Sequence, residues 1–313
     1  MMQEAIGKIH EARHIALLTH VNPDADTLGS ALGMYHSLLA MGKRASVVNT
    51  TQLPYNLDFL PGIQKVKKEL PKHCDLMISF DCGSFDRLGI EKKEGFLINI
   101  DHHRSNTMYG DINIVDPTAA ATAEVVYKLL EEGEMPIPKE SATSLYTALV
   151  DDTGFFKYDS VGARTFELAK KLCEKGASPE WVARMLTMRE PLSKLRLLPL
   201  VLETLTLHLG AKVASLRLTQ QMLAQTGGTK EMGEDALNMA RNLATVEVAL
   251  LLREEEDGRI KVSMRSKERV DVGKIAVAFG GGGHKRAAGF TSDLHDFDRV
   301  LELVLEAIEK EME

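Results

Sequence analysis

The residues able to do chemistry come in short groups, each at the end of an apolar run. His20-Val21-Asn22-Pro23-Asp24-Ala25-Asp26 sets one imidazole and two carboxylates directly after Ile15-Ala16-Leu17-Leu18. Leu76-Met77-Ile78-Ser79-Phe80 ends in Asp81-Cys82-Gly83-Ser84, and Phe96-Leu97-Ile98-Asn99-Ile100 ends in Asp101-His102-His103. A fourth group, Asp151-Asp152-Thr153-Gly154, closes a helical pattern that begins at Lys139. Carboxylate and imidazole donors without thiolate suit Mn²⁺, with Mg²⁺, Fe²⁺ or Co²⁺ as alternatives, better than a structural zinc. The set His20, Asp24, Asp26, Asp81, His102, His103 and Asp152 is large enough for two divalent ions about 4 Å apart with a shared carboxylate. Such a pair lowers the pKa of a bridging water and clamps a phosphoryl group for in-line attack. Asp81 stands alone at its strand end and is the natural shared ligand. Asp101 is better placed to fix an imidazole tautomer. Asp151 and Asp152 project about 100° apart from a helix end, so one of the two is expected to face the cluster.

Those groups can meet only if the runs before them are neighbouring strands. The runs at 15–18, 76–80 and 96–100 are near-continuous apolar runs, as strands buried on both faces of a parallel sheet are. Their carboxyl ends then share one edge of the sheet, where open α/β sheets bind their ligands. Ala45-Ser46-Val47-Val48 reads as another strand, and residues 51–62, with two prolines, as a surface connection. Helices are expected from Leu28 to Leu39, Ala121 to Glu132, Lys139 to about Val150, Ala163 to Lys175 and Ser178 to Met188, the last with Ser178 as cap and Pro179 in its first turn. The alternation predicts an α/β fold with a doubly wound, mainly parallel sheet. No GxGxxG follows the first strand, so a dinucleotide cofactor is not indicated.

With 313 residues the chain is long enough for two domains, expected at 1–188 and 210–313 with a joining helix over 189–209. That helix is read from Pro191 to His208 by its leucine spacing. Beyond it, strands at Val213–Leu218, Thr245–Leu252 and Ile260–Met264 and helices at Val272–Phe279 and Phe297–Met312 make a smaller α/β domain. Glu254-Glu255-Glu256-Asp257-Gly258 reads as a solvated hairpin turn. Gly280-Gly281-Gly282-Gly283-His284-Lys285-Arg286 combines close backbone approach with positive charge, which suits an anion. The formal net charge of −7 argues against a protein that grips long nucleic acid by its phosphates, and leaves room for a short nucleotide in a local basic pocket. No apolar run approaches the roughly 18 residues of a membrane span. The polar amphipathic start, Met2 to Ala12, does not read as a signal peptide. Three cysteines without CxxC spacing argue against a disulfide frame or zinc knuckle and fit a reducing cytoplasm.

His20-x3-Asp24-x-Asp26, Asp81, Asp101-His102-His103 and Asp152-Thr153-Gly154 together resemble the successive motifs of the DHH phosphoesterase superfamily. That superfamily holds RecJ-type exonucleases, family II pyrophosphatases, cyclic-di-AMP and linear dinucleotide phosphodiesterases, and nanoRNase/pAp phosphatases. The glycine run resembles the Gly-Gly-Gly-His element of the DHHA1 domain, and Val262-Ser263-Met264-Arg265-Ser266 resembles its companion strand. The resemblance implies that His20, Asp24 and Asp81 bind one Mn²⁺, and that Asp26, Asp81, His102 and Asp152 bind the other. It implies that His103 contacts the scissile phosphate and assists the leaving oxygen; Arg104 and Asn106 follow directly and are placed to support that loop, Arg104 equally reading as a solvated charge. Arg265 would grip a phosphate bidentately, and Ser266, His284 and the backbone at Gly281, Gly282 and Gly283 would hold the nucleotide.

Pyrophosphatases of the superfamily carry a different C-terminal domain, and RecJ-type nucleases carry further nucleic-acid-binding domains. The resemblance therefore implies a compact nanoRNase/pAp phosphatase: cleavage of short single-stranded RNA, chiefly linear dinucleotides, in a cleft between the domains. Removal of the 3′-phosphate of pAp is the second implied activity. Long duplexes and membranes are not expected as partners, and a homodimer is common in the family. Cyclic-di-AMP or pApA hydrolysis by the same residues is the enzymatic rival, and a silent nucleotide sensor is the rival from another class.

Overall fold

A computed structural model of the chain describes residues 1–91 and 95–312. It divides into two compact units, Met1–Arg189 and Glu190–Glu313. The first unit runs α1 (Met2–Glu11), β1 (His14–Leu18), α2 (Ala25–Ala40), β2 (Arg44–Val48), β3 (Leu76–Phe80), β4 (Leu97–Asp101) and β5 (Ile112–Val115). It continues with α3 (Thr122–Glu132), α4 (Lys139–Asp152), α5 (Ala163–Glu174) and α6 (Pro179–Thr187). Its five strands are all parallel, in the order β2-β1-β3-β4-β5. The chain leaves β1 for β2 on one side and returns to β3 on the other, so the winding reverses between β1 and β3. At that reversal the loops after the two strands diverge and leave a crevice. His20 lies two residues beyond β1, and Asp81 directly follows β3.

Both faces of this sheet are covered and mostly apolar, which is why its strands read as nearly unbroken runs; Ser79 and Asn99 are the buried polar exceptions inside β3 and β4 and are hydrogen-bonded. Ile15 and Leu17 of β1 join the core under α1 to α4, and Ala16 and Leu18 join the layer on the opposite face. Leu70, Phe85, Leu88 and Tyr109, from the connecting segments, close that second layer. Crossovers thus run over both faces, but the long helices cover only one. The expected surface connection at 51–62 is more than that: its short 3-10 turn Tyr55–Leu57 and the residues after it bury Leu57 and Leu60 in the main core. The edge strand β5, four residues long, was not expected from the sequence.

The most intimate packing in the unit is between α2 and α4. A Cβ on Gly29 would stand 2.5 Å from the Ser144 carbonyl oxygen, and one on Gly33 2.6 Å from Leu145 Cγ. Ser141 Oγ donates to the Gly33 carbonyl at 2.6 Å. Advancing from Gly29 to Gly33 moves back along α4, so the two helices are antiparallel. The start of α2, with Asp24 and Asp26, is thereby set beside the end of α4, with Asp151 and Asp152.

The second unit contains α7 (Leu192–Leu202), β6 (Thr206–His208), β7 (Val213–Leu218), α8 (Gln220–Thr226), α9 (Glu234–Arg241), β8 (Val248–Glu254) and β9 (Ile260–Ser266). After these come α10 (Val272–Ala278), β10 (Gly282–His284), β11 (Ala287–Ser292) and α11 (Phe297–Met312). Its sheet has the order β10-β11-β9-β8-β7-β6, parallel only between β7 and β8. Helices α10 and α11 pack on one face. On the other, α7 and α9 cover β7 and β8, with Leu197 and Val201 of α7 buried there. The helix expected to reach His208 stops at Leu202, because Thr204 Oγ1 accepts the Arg217 N–H at 2.8 Å and the chain turns into edge strand β6. The turn expected over 254–258 is found at 255–259, one residue later because Glu254 still pairs in β8, and it joins β8 to β9 as a hairpin.

Gly29→Val should overfill the α2–α4 contact. A loss of about 1–3 kcal/mol of stability is expected, read as a lower denaturation midpoint of the full chain. A midpoint equal to wild type would show that the two helices are not held at backbone contact.

Candidate metal centre and substrate platform

Among the described residues, three groups of side chains can each offer ligand atoms within 4.8 Å of one another: His20, Asp24 and Asp81; Asp26, His102 and Asp152; and Asp81, His102 and His103. They meet because each lies at a carboxyl end of β1, β3 or β4 or at the facing ends of α2 and α4. Asp81 faces two imidazoles with different oxygens. Its Oδ2 is 3.6 Å from His20 Nε2, and its Oδ1 is 3.4 Å from His102 Nε2. His20 Nε2 is also 3.5 Å from Asp24 Oδ2, and His102 Nε2 is 3.5 Å from Asp152 Oδ2 and 4.0 Å from Asp26 Oδ2. Both rings are turned the same way. His20 Nδ1 lies 2.9 Å from the Val21 carbonyl and His102 Nδ1 3.2 Å from the Ala119 carbonyl. A carbonyl only accepts, so each Nδ1 carries a hydrogen and each Nε2 is turned toward the carboxylates, where loss of its own proton would free a lone pair for a metal ion.

His103 is oriented differently. Its Nδ1 donates to Asp101 Oδ1 at 2.8 Å, which leaves Nε2 as the nitrogen for an external group. Asp101 is fully buried at the end of β4. It also accepts the His102 N–H at 2.8 Å and the Asn106 amide at 2.5 Å. Asp81 has φ +53°, a left-handed conformation that costs a non-glycine residue about 1–2 kcal/mol; strain of this kind gathers at functional sites.

The electrostatics follow from crowding carboxylates in a buried place. Burial, then the charges of Asp81, Asp152 and Asp24, raise the pKa of Asp26 well above the carboxylate range. Burial is the main cause that lifts Asp152 to about 7, and with Asp24 it lifts Asp151 to about 6. For His20 burial opposes the charged ring, yet Asp24 and Asp81 outweigh it and raise its pKa to about 9. The Asp101 hydrogen bond raises His103. Burial works to raise Asp101 itself, but His103 and Asn106 prevail and lower it. The raised values of His20, Asp26, Asp151 and Asp152 mark an excess of negative charge at the cluster, which a divalent cation would offset.

In the second unit the strand register lines up a second set of residues. Arg265 of β9 pairs with Ala287 of β11, and Ala287 pairs with His284 of β10. One step along, Ser263, Gly289 and Gly282 are aligned in the same way. Directly opposed residues project from the same face, so Arg265 and His284 rim a platform of small residues. Neighbours along a strand face opposite ways. Ser266 is accordingly buried on the other face, with its hydroxyl 3.4 Å from the Lys285 carbonyl. Arg265 Nη2 is 3.1 Å from Glu234 Oε2, and Ser263 Oγ donates to Glu234 Oε1 at 2.9 Å. In the glycine run, a Cβ on Gly281 would meet the Gly289 carbonyl oxygen at 2.3 Å, and one on Gly283 the Ala287 carbonyl oxygen at 2.5 Å. The Gly281 N–H is spent on the Ala276 carbonyl at 2.8 Å. Only Gly282 of these three opens onto free space.

Two family models match the chain, the DHH family N-terminal domain over residues 14–149 and the DHHA1 domain over residues 211–310. The bifunctional oligoribonuclease and PAP phosphatase NrnA of Thermus thermophilus is 35% identical over 301 residues, 95% of this chain and 90% of its own length. The chain belongs to the DHH phosphoesterase family. It is a hydrolase of phosphoester bonds. The cyclic-di-AMP phosphodiesterase GdpP of Bacillus subtilis is 26% identical across 97% of this chain and 49% of its own length. A crystal structure of an exopolyphosphatase-related protein from Bacteroides fragilis superposes with a TM-score of 0.90 at 26% identity, covering 99% of this chain and 95% of that one.

The DHH domain brings together His20, Asp24, Asp26, Asp81, His102, His103 and Asp152, while Asp151 belongs to none of the three groups. The DHHA1 domain places Arg265 and His284 on one face and Ser266 on the other. Sequence reading passed over the buried hydroxyls that tie the cluster together. Ser30 Oγ donates to Asp26 Oδ1 at 3.2 Å, Thr27 Oγ1 to the Phe80 carbonyl at 2.8 Å, and Thr122 Oγ1 to Asp81 Oδ1 at 3.0 Å. All three residues are fully buried. Their signal was a small polar residue at the start of an apolar helix, which also reads as a local cap. Glu234 gave no signal at all.

Because metal ligands must shed their protons, Mn²⁺ uptake near neutral pH should displace protons from His20 and Asp152. Calorimetry in buffers of different ionisation enthalpy should show that release. Affinity should fall as pH drops through the range bounded by the raised values of His20 and Asp152. Uptake with no buffer dependence would contradict the charge states described.

Proposed function

We propose that the protein hydrolyses short single-stranded oligoribonucleotides, chiefly linear dinucleotides, to mononucleotides, with removal of the 3′-phosphate of pAp as a second activity. The observation that carries the catalytic part is the pair of Nε2 atoms set against the two oxygens of Asp81. The substrate class is supported by the oligoribonuclease and PAP phosphatase named for the Thermus thermophilus relative. In this reading His20, Asp24 and Asp81 hold one Mn²⁺, and Asp26, Asp81, His102 and Asp152 hold the second. The donor set fits them: oxygen and imidazole ligands, two tautomers fixed by carbonyls, and carboxylates whose buried charge calls for a cation. When bound, the two ions supply an activated water and neutralise charge for in-line attack at phosphorus.

His103 is the general acid of the reading. Asp101 accepts the Nδ1 hydrogen and raises the basicity of the ring, and Nε2 is the nitrogen that would deliver a proton to the leaving oxygen. Asn106 keeps Asp101 in place. On the DHHA1 domain Arg265 binds the distal phosphate, with Glu234 orienting its guanidinium, and His284 hydrogen-bonds the nucleotide. The small residues between them admit a flat base against the sheet. Ser266 serves the platform by anchoring the turn at Lys285. The reaction belongs to the cytoplasm, where the three cysteines stay reduced.

The test is product formation in Mn²⁺ from pGpG, pApA, a five-residue RNA, cyclic-di-AMP, pAp and pyrophosphate. The linear dinucleotides should be lost fastest, pAp more slowly, and pyrophosphate not at all. Asp81→Asn should abolish turnover while some nucleotide binding persists. Preference for cyclic-di-AMP would reassign the protein to the activity named for GdpP. Binding without turnover of any of them would leave a nucleotide sensor.

A further inference from the structure

Thr122 makes contacts that its position in the chain does not require. It opens α3 but does not cap it: the N-cap is Ala121, and no side-chain cap bond is made there. Its backbone N–H donates to Asp26 Oδ2 at 2.6 Å, from α2, and its hydroxyl to Asp81 Oδ1 at 3.0 Å, from the end of β3. The next N–H, of Ala123, donates to Asp26 Oδ1 at 3.1 Å. One residue therefore touches a carboxylate in each of two of the ligand groups. A carboxylate can only accept, so the single hydroxyl proton of Thr122 is committed to Asp81.

The orientation of Asp81 is not set by its own rotamer, because the terminal torsion of an aspartate is broad and nearly two-fold. That torsion is what matters here, since each oxygen of Asp81 faces a different imidazole. Its other polar neighbours are His20, His102 and His103, at 3.4 to 3.6 Å. Those rings lie on the side where a cation would stand, and none is close enough to fix the plane. The Thr122 hydroxyl is, and it is fully buried.

We infer that Thr122 is a positioning residue of the metal centre: its hydroxyl fixes the carboxylate plane of Asp81, while its N–H holds Asp26. The inference rests on the reading that these aspartates bind metal. It adds that the spacing between the two ion positions is set from α3, an element that contributes no ligand. Thr122→Val keeps shape and backbone N–H and removes only the hydroxyl, whereas Thr122→Ser keeps the hydroxyl and removes a methyl.

The experiment measures Mn²⁺ binding to the full chain by calorimetry, with the thermal midpoint of each metal-free protein alongside. Thr122→Val should bind Mn²⁺ about 10–100-fold more weakly, with Thr122→Ser close to wild type. The metal-free midpoints should not follow that order. If Thr122→Val does not fold, Thr122→Ala against Thr122→Ser decides the same point. Equal Mn²⁺ affinity in wild type and the hydroxyl-free variant would overturn the role of Thr122 and leave the metal site standing. Loss of affinity in Thr122→Ser as large as in Thr122→Val would reduce the residue to packing. Wild-type protein that takes up no Mn²⁺ would overturn the metal reading and this inference with it.

Discussion

The structure of the DHH domain turns on keeping several carboxylates close together out of water. Asp26 and Asp81 are buried, and Asp24 and Asp152 lie beside them. Left alone such charges repel and take up protons, as the raised pKa values of Asp26 and Asp152 record. Compensation inside the chain is partial and directional. Two N–H groups at the start of α3 meet Asp26, where the helix dipole also favours negative charge. His20 takes a proton between Asp24 and Asp81. What remains of the negative charge is what a metal cation would offset, so the imbalance that makes the cluster unfavourable on its own also suits it to hold one.

Rigid, close packing resists that repulsion. Gly29 and Gly33 let α2 and α4 approach until backbone meets side chain, and this seam fixes the distance between Asp26 and Asp152. The buried hydroxyls of Thr27, Ser30 and Thr122 tie α2, β3 and α3 together at the same point. A site of repelling groups is thus held by neutral contacts around it.

Much of this was legible in the sequence, for identifiable reasons. Strands buried on both faces leave long apolar runs, so β1, β3 and β4 and the acidic or imidazole groups after them could be read directly. Asp101 could be set apart from the ligands because it is followed at once by two imidazoles it can orient. The edge strands β5, β6 and β10 and the short helices α8 and α9 left no such pattern, because few residues in each are buried. Ser266 was grouped with Arg265 by resemblance, while strand alternation sends the two to opposite faces. Thr122 and Glu234 act through pairings 41 and 31 residues distant, and a single sequence carries no mark of such partners.

The seam between α2 and α4 also orders events in time. Its hydrogen bond from Ser141 to Gly33 spans 108 residues, and Asp152 reaches the cluster only when α4 is docked against α2. During synthesis the chain emerges from its N-terminus, so His20, Asp24 and Asp26 exist long before their last neighbour. A nascent chain therefore carries an unfinished set of ligands until nearly the whole first unit has been made. Long-range contacts of this kind form late because the intervening loop must close first. Completion of the cluster therefore comes at the end of the first unit's folding, and a hydrolase built this way lacks part of its carboxylate and imidazole set until that unit is assembled.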